Sequence, residues 1–138
     1  MQKITIRDIQ KFKEKGTPFA TVTAYDYISS QNASAVGIPL LLVGDSAAMV
    51  VYGMDTTIPI SMDEMIFLVR AVHRGSNKSL VVADMPFMSY QASVEDAVQN
   101  AGRFVKESSA EAVKLEGGTV YKKQIKAIIN AGIPVMGH

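Results

Sequence analysis

Short apolar runs in this chain end repeatedly on a polar, chemically capable side chain: Asp26, Asp45, Asp84, Glu116 and His138. Carboxylates at Asp45, Asp84 and Glu116, brought to one place, would repel one another and raise each other's pKa unless a cation held them. Oxygen ligands in a chain with no cysteine suit a hard divalent ion such as Mg²⁺, which keeps positions open for substrate oxygens. Lys114 adds a cation: side chains alternate along Ala112-Val-Lys-Leu-Glu116, so Lys114 and Glu116 share one face. A lysine facing a covered interior is costly without an anionic partner. Its partner is either a neighbouring carboxylate, in a buried salt bridge, or a substrate carboxylate. Asp26, between a strand and a helix, reads as an N-cap. His73, beside Arg74 near a helix end, reads as a structural cation complementing the helix dipole. Met49, Met54, Met85 and Met88 read as adaptable packing in loops. No Walker or Gly-x-Gly-x-x-Gly sequence points to a nucleotide.

The elements that must position these groups alternate between β-type and helical patterns. Ile6, Ile9 and Phe12 repeat at helical spacing behind Thr5, with Gly16 as the stop. The expected strands are Phe19–Ala24, Pro39–Val43, Leu80–Ala83, Ala112–Leu115 and Ile133–Gly137. Between them lie a weaker helix to Val36 stopped by Gly37, and a helix opened by the capping box of Ser61 and Glu64 and closed by Gly75. A helix capped by Ser93 runs to about Ser108, and one capped by Thr119 runs to Gly132. Residues 47–60 read as a loop too long for a mere connector.

Strands apolar on nearly every residue belong to a parallel sheet covered on both sides. The series is an extra N-terminal helix followed by β(αβ)₄. It fits the first five strands of a (βα)₈ TIM-type barrel or an open doubly-wound sheet. Only in a barrel do the polar strand ends converge on one mouth. A complete barrel typically needs about 250 residues, and this chain has 138. Residues 1–138 therefore read as the N-terminal part of a single (βα)-barrel domain.

Composition excludes several roles. Hydrophobic residues make up 48%, charged residues 20%, and the net charge is +1, with no basic stripe for nucleic acid. No apolar run approaches the roughly 20 residues that span a bilayer. The N-terminus lacks the apolar core of a signal peptide, and the absence of cysteine fits a reducing compartment, so a cytoplasmic protein is expected.

The segments Thr23-Ala-Tyr-Asp26, Leu42-Val-Gly-Asp-Ser46, Ala83-Asp-Met-Pro-Phe-Met88, Val113-Lys-Leu-Glu-Gly-Gly118 and Pro134-Val-Met-Gly-His138 resemble, in order and spacing, the ketopantoate hydroxymethyltransferase family. So does Met49-Val-Val-Tyr-Gly53 with Asp55-Thr-Thr-Ile-Pro59. The resemblance covers essentially the whole chain, while the family's proteins are roughly twice as long and fold as complete barrels. It implies transfer of a hydroxymethyl group from 5,10-methylenetetrahydrofolate to 2-oxoisovalerate, giving ketopantoate for pantothenate and coenzyme A. It implies metal binding, by Mg²⁺ or another divalent cation, at Asp45, Asp84 and Glu116. Oxo-acid binding would fall to Asp45, Ser46, Asp84 and Lys114, with His138 in the pocket and Lys114 as electrostatic stabiliser. The family's catalytic glutamate matches no residue here, neither Glu107, Glu111 nor Glu116, so the C-terminal half of the barrel is expected to supply it. Large homo-oligomers, usually decamers, are implied as well.

Two alternatives accompany this expectation. One keeps the site but changes the reaction, to metal-dependent C–C or P–C cleavage of the phosphoenolpyruvate mutase and isocitrate lyase type. The other is a non-catalytic half-barrel serving as scaffold or subunit.

Overall fold

The computed structural model describes residues 2–138. Five parallel strands form one sheet in the order β1-β2-β3-β4-β5: β1 (Thr21–Thr23), β2 (Leu40–Val43), β3 (Leu80–Asp84), β4 (Ala112–Leu115) and β5 (Val135–Gly137). The helices are α1 (Ile6–Glu14), α2 (Tyr27–Ala35), α3 (Ala47–Val50), α4 (Met62–Gly75), α5 (Val94–Ser108) and α6 (Lys122–Asn130). Strictly sequential order means that every crossover steps in the same direction. With right-handed crossovers, that puts the connecting helices on one face. Accordingly α2 packs on α4, α4 on α5 and α5 on α6. A doubly-wound sheet reverses its strand order at a switch point, and this one does not. The winding is that of a barrel.

Each face has its own core. Leu41, Val43, Val81, Ala83, Val113 and Leu115 face the helices, burying against residues such as Met65, Val69, Phe104 and Ile128. Leu40, Leu80, Val82 and Ala112 face the other way and are covered by Ile4, Ile6, Ile9 and Phe19 of the N-terminal segment. Helix α1 thus plugs the sheet's inner face at the end where strands begin. Its first turn is organised by Asp8, whose carboxylate accepts from the Thr5 amide at 3.0 Å and the Thr5 hydroxyl at 2.7 Å. Just before this turn, the Ile4 amide donates to the Lys78 carbonyl at 2.7 Å and pins the segment beside β3. The capping box of α4 forms as expected: Glu64 accepts from the Ser61 amide and hydroxyl, and Ser61 Oγ accepts from the Glu64 amide. Ser93 Oγ accepts from the Asp96 amide at 2.9 Å and starts α5.

Several expected boundaries shift. Strand β1 begins at Thr21, because Phe19 leaves the ladder to stack beside Phe12, with ring centroids 5.1 Å apart. Residues 47–60 are not wholly irregular: the buried pair Ala47 and Ala48 begins the short α3. Thr119 is not a cap. It lies inside a 3₁₀ turn, Gly118–Tyr121, and α6 starts one residue later. Strand β5 starts at Val135 rather than Ile133, since Pro134 has no amide hydrogen for the ladder and Ile133 is buried in the helix-side core.

Gly75 also differs from the expectation. Gly16, Gly37 and Gly132 end their helices at positive φ, whereas Gly75 is the last residue of α4 without it. A side chain there would place its Cβ 2.4 Å from the Tyr27 carbonyl and 3.0 Å from Ser30 Cβ. Its role is close approach of α2 to α4, where Ser30 Oγ donates to the Val72 carbonyl at 2.6 Å. Gly75→Ala should therefore destabilise the fold by about 1–3 kcal/mol, read as a lower urea midpoint at unchanged slope.

His73 is structural, as expected, but it is not the expected cation. Burial, then the charge of Lys3, lowers its pKa below the usual histidine value, with Glu111 opposing. Its Nδ1 is buried with no hydrogen-bond partner among the described residues. The unfolded chain then binds the proton more readily than the folded one. Stability should be full above about pH 6.5 and fall as pH drops below it. His73→Gln should flatten that part of a stability–pH profile.

Candidate functional site

Strand register brings the central pair together. Asp84 on β3 lies directly across from Lys114 on β4, on the same face of the sheet. Lys114 Nζ donates to both Asp84 carboxylate oxygens at 3.0 Å, with the two side chains only 11% and 7% exposed. Burial raises the Asp84 pKa; the hydrogen bond and charge of Lys114 pull it back, and the nearby charge of Asp45 pushes it up again. The salt-bridge reading of Lys114 is the one this structure shows. The cation does not hold Glu116.

The neighbouring strand exit is built around a missing side chain. A Cβ on Gly44 would sit 2.8 Å from Ser46 Oγ and 3.8 Å from Asp84 Oδ2, so glycine leaves that space to the serine and the carboxylate. Ser46 Oγ is 2.8 Å from the Tyr25 hydroxyl. Asp45 stands beside Asp84, close enough that its charge and its main-chain amide both act on that carboxylate. Asp45, Ser46, Asp84 and Lys114 are thus gathered at the C-terminal ends of β2, β3 and β4, where barrel folds keep their active sites.

Glu116 and His138 stand apart from this group. Both are exposed, and His138 Nδ1 lies 3.9 Å from Glu116 Oε1 at the rim. The Glu116 amide donates to the Tyr90 hydroxyl at 3.4 Å. Tyr90 is buried edge-on against Tyr121, with centroids 5.2 Å apart, and burial raises its pKa. The Tyr121 ring occupies the place of a side chain at Gly117, which turns at φ +97°. Two tyrosines therefore fix the loop that carries Glu116. Among the described residues, no three of His, Asp and Glu form a metal-holding group. Asp26 caps α2, as expected, accepting from the Ser29 amide and hydroxyl at 2.8 Å each.

Tyr25, Gly44, Tyr90 and Tyr121 were not singled out from the sequence. Tyr25 had a usable signal, because it stands next to Asp26 just past the end of β1, among the polar residues that mark the strand exits. The other three depend on contacts across loops.

Residues 3–138 match the ketopantoate hydroxymethyltransferase family. The chain belongs to that family. It is 54% identical over 138 residues to 3-methyl-2-oxobutanoate hydroxymethyltransferase of Carboxydothermus hydrogenoformans, covering all of this chain and 50% of that protein. It is 54% identical over 136 residues to the enzyme of the same name from Moorella thermoacetica, covering 99% and 51%. The chain spans about half the length of these relatives. Among solved structures, phosphonopyruvate hydrolase in complex with oxalate and Mg²⁺ matches with a TM-score of 0.74 at 14% identity, over 97% of this chain and 52% of that one. A 2,3-dimethylmalate lyase of the phosphoenolpyruvate mutase/isocitrate lyase superfamily matches with a TM-score of 0.70 at 17% identity, over 97% and 51%. At such identity the likeness is one of fold.

In this ketopantoate hydroxymethyltransferase chain, the ion pair is also a structural commitment. Removing one partner of a buried pair strands the other charge, at a cost of about 3–5 kcal/mol, whereas replacing both with apolar groups is often neutral. Lys114→Ala and Asp84→Leu should each destabilise strongly, and Asp84→Leu with Lys114→Met should be more stable than either. A thermal denaturation series on the four proteins measures this.

Proposed function

We propose that this site, in the complete enzyme, transfers a hydroxymethyl group from 5,10-methylenetetrahydrofolate to 2-oxoisovalerate, giving ketopantoate. Membership of the family and the names of the relatives support the reaction. The observation that carries the chemistry is the register-fixed Asp84–Lys114 pair, buried beside Ser46 at the strand ends.

The donor set fits a divalent cation such as Mg²⁺. Two carboxylates, Asp45 and Asp84, adjoin, and the raised Asp84 pKa marks a buried carboxylate whose local cation does not fully offset its desolvation. Asp45 and Asp84 would be direct ligands, with Glu116 at the rim acting through water. When bound, the ion supplies Lewis acidity to the ketone of the oxo acid. Lys114 would offset part of the negative charge that develops on the substrate as C3 loses its proton, and Ser46 would donate to the substrate carboxylate. The base is a residue of the complete barrel outside this chain. Glu111 is held by Lys3 and the Val81 amide at the opposite end of the strands. Glu107 is held by Arg103 on the outer helices. Assembly as a homo-oligomer in the cytoplasm belongs to the same reading; no helix among the described residues is long and apolar enough to cross a membrane.

Two measurements on the complete enzyme test this. Calorimetry with Mg²⁺ and 2-oxoisovalerate should show metal-dependent binding that Asp84→Ala abolishes; its survival overturns the site. Deuterium exchange at C3, followed without folate, should slow by about 10²–10³-fold in Lys114→Ala. Folate-independent cleavage of a C–C or P–C bond would instead select the lyase or mutase reaction.

A further inference from the structure

We propose that Tyr25 is a positioning residue that fixes the Ser46 hydroxyl as a hydrogen-bond donor to a carboxylate-bearing substrate. The inference rests on the reading of Ser46 given above and adds to it a residue that never touches the substrate. The two hydroxyl oxygens are 2.8 Å apart, and either could donate to the other. A carboxylate only accepts, so a bound oxo acid requires the serine proton. Tyr25 must then be the donor, in the chain Tyr25 O–H to Ser46 Oγ, and Ser46 O–H to the carboxylate. The phenol is the more acidic hydroxyl, which favours this direction, and serial hydrogen bonds strengthen one another in a low-dielectric site.

Three features show that Tyr25 is built for positioning. Ser46 stands at the N-cap of α3 but makes no capping hydrogen bond, so its hydroxyl is not used by the helix. The open space over Gly44 lets Ser46 Oγ reach its place beside Asp84, and any larger residue there would push it away. Tyr25 itself is held on both sides. The Ala24 amide donates to the Leu42 carbonyl at 3.0 Å, and Asp26 is fixed by capping α2. Little freedom remains for the tyrosine between a ladder bond and a helix cap.

The test is a double-mutant cycle in the complete enzyme, with Tyr25→Phe, Ser46→Ala and both together, reading KM for 2-oxoisovalerate and kcat separately. Tyr25→Phe should raise KM about 5- to 10-fold, the loss expected for one hydrogen bond, with kcat nearly unchanged. The double variant should match Ser46→Ala, because without the serine hydroxyl the tyrosine has nothing to orient. If the two effects multiply, or if Tyr25→Phe keeps the wild-type KM while Ser46→Ala does not, the positioning role is overturned and the site stands. If Ser46→Ala itself leaves KM unchanged, the underlying assignment of Ser46 fails and takes this inference with it. Should the Phe variant not fold, Tyr25→Met carries the same comparison.

Discussion

Lys114 and Asp84 lie opposite each other on adjacent parallel strands, and the rest of the site is arranged around that alignment. Two oppositely charged groups are removed from water here, and such a pair holds together only if both are engaged and the geometry is good. Both carboxylate oxygens are engaged, and the main-chain amide of Asp45 also points its dipole toward them. A slip of one residue between β3 and β4 would turn one partner toward the helix-side core. The pair therefore enforces the register of the strands that carry it, and that register delivers Asp45 and Ser46 to the same mouth.

The apolar layers below the pair serve the same end. Leu40, Leu80, Val82 and Ala112 occupy the inner face under the charges, closed from beneath by Ile6 and Ile9. Water reaching Lys114 from that side would weaken its attraction to Asp84, since the interaction scales inversely with the local dielectric. The N-terminal helix is therefore part of the electrostatics as well as of the packing, although it lies at the other end of the strands from the chemistry.

Much of this was legible in the sequence, for identifiable reasons. Alternation placed Lys114 inward, and apolar runs ending on Asp or Glu marked the strand exits, because these signals are local to one strand. Barrel winding followed from the βα rhythm together with the family resemblance. Glu116 shows the limit of alternation: the strand stops at Leu115, the chain turns at Gly117, and the expected shared face with Lys114 no longer applies. Gly75 and Tyr121 were missed because their partners, the Tyr27 carbonyl and Gly117, meet them only through packing between elements or across a loop. Thr119 was misread because the 3₁₀ turn that starts at Gly118, with Gly117 at its N-cap, takes the place of a simple cap.

The sequential strand order has a consequence for how the chain acquires its shape. Each new strand pairs with the one before it in the chain, and each new helix packs on its predecessor, so no strand pairing reaches past a single crossover. Parallel pairings close long crossovers and are intrinsically slow, but this order lets each one be added to the sheet already formed, from the N-terminal side onward. The exception is the first segment: Ile4 bonds to Lys78, and Ile6 and Ile9 rest on strands as distant as β4. Residues made before the strands they rest on must wait for Ala112 before their seat is complete.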